Sequence, residues 1–145
     1  MPTETFIHSA PTTATPHQVW EALQSPSTWE GIPGVDEVSN PGHDSKGELQ
    51  QFDFATRIAG RSYQGKATRG ESVVNKTMEW AISSSEIRGT VRVTMEEALE
   101  GAEITVSLQV SSASMLSSMF FPAIVSSIGT GFPGMVDDFA EGFSA

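Results

Sequence analysis

The chain has 145 residues, no cysteine, and 8 Lys+Arg against 18 Asp+Glu, a net charge of −10 with histidine neutral. That length and a 38% hydrophobic content suit one domain over 1–145 with a real core. The lack of cysteine excludes a disulfide scaffold, a Cys-ligated metal site and a thiol nucleophile. The net acidity argues against nucleic acid or an anionic membrane surface as partner.

In chain order, Thr5–Ser9 reads as a short first strand. The start MPTETF has neither a basic n-region nor an apolar h-region, so no signal peptide is expected and the default location is cytoplasmic. Thr15-Pro16-His17-Gln18 then opens a helix, with Thr15 as N-cap, Pro16 at N1 and Gln18 at N3, and with Val19, Trp20 and Leu23 as its apolar stripe. Pro26–Glu30 predicts a second short helical turn, ended by Gly31-Ile32-Pro33-Gly34. His43 falls in an Asn40–Gly47 loop.

Residues 42–121 hold no proline, as expected of a meander of strands. Phe52, Phe54 and Ile58 share a strand face; Ala59-Gly60 predicts a tight turn into a strand over Arg61–Gly70. Val74, Met78, Trp80 and Ile82 share another face. Ile87–Met95 and Ala102–Val110 alternate cleanly, and Glu100-Gly101 between them predicts a hairpin turn. A final amphipathic helix is predicted over roughly 117–142, with Leu116, Phe120, Ile124, Ile128, Phe132, Met135, Phe139 and Phe143 as its stripe. Pro122 fits its first turn, and Pro133 should kink it. Strand, two short helices, about six strands and a long helix make an α+β fold.

The opening run Ala10-Pro11, Thr15-Pro16-His17-Gln18-Val19-Trp20-Glu21-Ala22-Leu23 and Ser25-Pro26-Ser27-Thr28-Trp29-Glu30-Gly31-Ile32-Pro33-Gly34-Val35 resembles the polyketide cyclase/dehydrase and lipid-transport proteins of the START-like (SRPBCC, helix-grip) superfamily. The resemblance implies a curved seven-stranded antiparallel sheet gripping the long C-terminal helix, with an apolar cavity between them. It implies a hydrophobic small-molecule ligand and, in some members, chemistry.

Several motifs have plainer readings. Gly129-x-Gly131-x-x-Gly134 matches a dinucleotide fingerprint by letter, but no βαβ unit surrounds it, so no cofactor is expected. The uncharged stretch 104–136 is broken by serines, prolines and glycines, so stable membrane insertion is not expected. His8, His17 and His43 lie on different elements and predict no metal site. Arg57, Lys66, Arg88 and Arg92 should form a mixed solvated face with Glu79 and Glu103.

Candidate ligand-binding residues are Trp29, Phe52, Phe54, Tyr63, Arg69, Met78, Trp80, Val91, Val93, Val106, Met119 and Phe120. If Tyr63 and Ala67 face inward, Arg61 and Arg69 do too, and a buried guanidinium needs a partner, either a ligand carboxylate or phosphate or an internal group such as Glu71. A bulge at Gly65 or Gly70 would instead turn Arg69 outward. Three functions follow. The preferred one is a non-catalytic binder or carrier of a hydrophobic molecule. The second is a cyclase/dehydratase, for which Tyr63 as acid and Arg69 as electrostatic stabiliser are the available pair. The third is a protein-interaction module or homodimer, built on an excess apolar face of Met115, Met119, Phe121 and Val125.

Overall fold

A computed structural model describes residues 3–31, 36–58, 61–85, 87–113, 119 and 121–144, the side chains of Ile58 and Arg61 excepted. The elements are β1 (Thr3–Thr12), α1 (Pro16–Ala22), a 3₁₀ turn (Pro26–Gly31), β2 (Glu37–His43), β3 (Leu49–Ile58), β4 (Arg61–Val73), β5 (Thr77–Ser84), β6 (Ile87–Ala98), β7 (Gly101–Ser112) and α2 (Phe121–Glu141). The strands form one antiparallel sheet in the order β1-β7-β6-β5-β4-β3-β2. This is the expected α+β helix-grip arrangement.

The local chemistry of α1 is as the sequence predicts. The Thr15 side chain accepts from the Gln18 backbone N–H, and the Gln18 side chain accepts from the Thr15 backbone N–H, completing a capping box. Val19, Trp20 and Leu23 are buried on one side. The β6–β7 hairpin turns one residue earlier than predicted: Ala98 pairs with Gly101, leaving Leu99-Glu100 as the turn. Gly101 has φ +147°, and a Cβ there would run into the Thr12 carbonyl oxygen, so glycine is required where β1 hands over to α1.

Four expectations need correction. Val74 is 61% exposed, because residues 74–76 form the β4–β5 turn, with Asn75 at φ 62°. His43 closes strand β2 rather than lying in a loop; Pro41 is accommodated because β2 is an edge strand with register shifts between Ser39 and His43. In α2, Met135 points to solvent and Val136 is buried in its place. A ladder of fours drifts around a 3.6-residue helix, and the inward stripe follows the drift: Phe121, Ile124, Ile128, Phe132, Val136, Phe139 and Ala140. Phe121 therefore belongs to the core and not to an excess outer face.

Pro122 lies in the first turn of α2, and the helix runs unbroken through Gly129–Gly134 with Pro133 inside it. Leu116, Met115 and the predicted Ala59-Gly60 turn lie outside the described residues. No helix among the described residues is long and apolar enough to cross a membrane.

α2 runs alongside β1. Phe6 meets Phe132 with ring centroids 5.7 Å apart, His8 Nε2 lies 2.9 Å from Asp137 Oδ1, and the Ser144 hydroxyl accepts from the Thr13 backbone N–H at 3.1 Å. The first half of α2 thus lies over the end of the sheet where β3, β5 and β7 finish. Its last turns lie over the end carrying α1 and the 3₁₀ turn.

Candidate functional site

The inner face of the sheet divides into two ends of different character. At the α1 end, Trp29 is 2% exposed; its indole N–H donates to the Leu23 carbonyl at 2.8 Å. Its ring lies 5.3 Å from Trp80, 6.1 Å from Phe52 and 6.5 Å from Phe139. Phe52 and Trp80 themselves meet at 5.0 Å. The buried Trp80 indole nitrogen has no hydrogen-bond acceptor among the described residues. Met78, Val93 and Val106 lie in the same enclosed layer.

Arg69 also belongs to this end. It does point inward, as the register of Tyr63 and Ala67 requires, and the irregularity in β4 falls beyond it, between Arg69 and Ser72. Its guanidinium donates to the Leu49 carbonyl (3.1 Å), Gln24 Oε1 (3.3 Å) and Ser72 Oγ (3.1 Å). It also sits 5.0 Å from the Trp20 ring centroid and 3.8 Å from Glu48 Oε1. Its partners come from inside the chain, and Glu71 is not among them. The adjoining Asp44–Glu48 loop is fixed by Asp44, whose carboxylate accepts backbone N–H bonds from Glu48 and Lys46. Those bonds, the one from Glu48 foremost, hold the Asp44 carboxyl below its usual range.

The opposite end, under the first half of α2, is built from smaller and more polar groups. Following the strand register, Gly65 sits across from Phe54 and Ser84, Ala67 from Phe52 and Ile82, and Gly89 from Ile82 and Val110. Among the described side chains, the outermost inward positions are Thr56, paired with Tyr63, and Ser112, paired with Ile87. A Cβ at Gly65 would meet the Phe54 ring at 2.7 Å, and one at Gly89 would collide with the Gln109 carbonyl, so both positions admit no side chain. Phe54, Tyr63, Ile87, Val91, Leu108 and Ile128 each keep 4–9% of their surface open, as Phe52 keeps 4% at the aromatic end, while Ala67, Val110 and Ile124 keep 1%. At the α1 end Phe139 also keeps 6%, on a cleft of about 280 Å³ between the 3₁₀ turn and the end of α2.

The buried hydroxyls Thr56 Oγ1 and Ser112 Oγ have no hydrogen-bond partner among the described residues. Neither was singled out by sequence. Extending the alternation would have found them: Thr56 continues Phe52–Phe54, and Ser112 continues Leu108–Val110. A polar residue in an inward position is the signal.

Of the predicted site residues, then, Phe54, Tyr63 and Val91 lie at the small-residue end, while Trp29, Phe52, Arg69, Met78, Trp80, Val93 and Val106 lie at the aromatic end. Met119 is 74% exposed, and Phe120 and the Arg61 side chain lie outside the described residues. Other clefts among the described residues are a polar one of about 510 Å³ on the outer face of β2–β5 and one of about 820 Å³ between α1, the β4–β5 turn and β6. Neither they nor the 280 Å³ cleft lies between the sheet and the first half of α2. On the outer face Arg92 donates to Glu79, as expected, which holds the guanidinium above its usual range.

No family model matches the chain, and no curated protein does. Solved structures do. The Zhui aromatase/cyclase from Streptomyces sp. R1128 superposes with a TM-score of 0.71 at 10% identity, over 96% of this chain and 94% of that one. A START superfamily protein from Mycobacterium smegmatis gives 0.62 at 10% identity, over 94% and 97%. The di-domain aromatase/cyclase BexL of the BE-7585A biosynthetic pathway gives 0.64 at 17% identity, over 96% of this chain and 50% of that one. At these identities the likeness is one of fold: the chain has the START-like, helix-grip fold that its opening residues resemble.

Proposed function

We propose that the chain binds and carries a hydrophobic small molecule, lipid-like or polyketide-like, between the inner sheet face and the first half of α2. The observation that carries this reading is the small-residue end itself. Ala67, Ser84 and Ser112 are small side chains under the inward stripe of α2, and the buried hydroxyls of Thr56 and Ser112 there have no partner among the described residues. The fold shared with aromatase/cyclases and a START protein supports the same reading. Organic extraction of the purified protein followed by mass spectrometry is expected to release an apolar compound near one per chain. A chain that carries none, and takes none up from a panel of polycyclic aromatics and fatty acids, would defeat the proposal.

A cyclase/dehydratase acting on an aromatic polyketide-like substrate is the second reading. It is favoured by the buried Tyr63, which sits at the small-residue end beside Thr56 and whose hydroxyl forms no hydrogen bond among the described residues. A phenol so placed can donate to a ligand oxygen. Arg69 is not available to it, being engaged at the other end. Turnover of a linear aromatic polyketide precursor that disappears in Tyr63→Phe would favour this reading over carriage; no turnover leaves carriage.

A further inference from the structure

Among the described residues, three polar ones are buried in the core: Thr12, Thr56 and Ser112. Thr12 lies at the α1 end, and its hydroxyl is satisfied from within, by Ser144 Oγ at 3.1 Å and the Ala14 N–H at 3.3 Å. Thr56 and Ser112 lie at the small-residue end, on either side of the sheet's inner face, and neither hydroxyl has a partner among the described residues. An enclosed hydroxyl without a partner is costly, and valine in place of threonine or alanine in place of serine would remove that cost with almost no change of shape. The contrast with Thr12 points outward from the protein, to a group that arrives with a ligand.

We infer that Thr56 and Ser112 are hydrogen-bonding anchors of the binding site, and that its ligand is a hydrophobe bearing carbonyl or hydroxyl oxygens rather than a plain hydrocarbon. This inference rests on the binding reading above. Thr56 adjoins Tyr63 by strand register, so one edge of the ligand meets two hydroxyls at neighbouring strand positions. Ser112 stands four strands away, on β7, and meets a different part of the ligand.

The test compares naphthalene with 1-naphthol, two probes of one shape that differ by a single hydroxyl, by ligand fluorescence on the full chain and on Thr56→Val and Ser112→Ala. The wild type is expected to prefer 1-naphthol by about three- to tenfold. At least one variant is expected to keep its naphthalene affinity, lose that preference, and show a urea midpoint no lower than wild type. Two results would overturn the inference while leaving the binding reading standing: naphthalene binding with no preference in the wild type, or a preference untouched by both substitutions. A fall in the urea midpoint of both variants would overturn it as well, since the hydroxyls would then be serving the fold. Binding of neither probe nor any larger aromatic would remove the binding reading, and this inference with it.

Discussion

Trp29→Ala is expected to destabilise the protein by about 3–5 kcal/mol, the range for removing a large buried aromatic. Trp29 is the side chain on which the aromatic end converges. It comes from the 3₁₀ turn, meets Phe52 on β3, Trp80 on β5 and Phe139 on α2, and returns a hydrogen bond to Leu23 at the end of α1. No neighbour can collapse into the vacated space without releasing one of these elements. Trp29→Phe should fall between, keeping the ring contacts and losing the bond to Leu23. Equilibrium urea denaturation measures both, and a loss below ~1 kcal/mol for the alanine variant would show that this end is not held as described.

Arg69→Met is expected to cost about 2–4 kcal/mol, since it removes charge-assisted hydrogen bonds from a side chain that is 8% exposed. The Leu49 carbonyl and the Ser72 hydroxyl lose a donor, and the seat on Trp20 is vacated. Arg69→Lys should recover less than half, because an ammonium cannot present several donors in a plane while stacking on an indole. Thermal and urea midpoints decide it. A methionine variant as stable as wild type would mean that these bonds are exchanged for water at no cost.

These residues also show how far the sequence could be read. The alternation of Ile87–Met95 and Ala102–Val110, and the capping box at Thr15, are local patterns, and local patterns reached the structure nearly unchanged. The inward direction of Arg69 was legible from the parity of its strand. Its partners were not: Gln24 and Leu49 lie 45 and 20 positions away and are brought to it by the docking of α1 and the β2–β3 loop. The exposure of Val74 was hidden because alternation does not say where a turn interrupts it. Thr56 and Ser112 were passed over because a polar residue in an inward position interrupts the apolar count, and it is that interruption which marks the small-residue end.

The order of the strands has a consequence in time. From β2 to β7 every strand pairs with its neighbour in sequence, so those hairpins close over short loops. β1 differs: Thr3 pairs with Ser111, and the strand has no partner until β7 exists. At ~5–20 residues added per second during synthesis, β1 waits about 5–20 s, with Phe6 and Ala10 uncovered. α2 is made later still and docks along β1, so the sheet's inner surface stays open to small molecules until the last step of folding. If the chain carries a ligand as proposed, one assembled in this order could be loaded before it closes, without having to reopen.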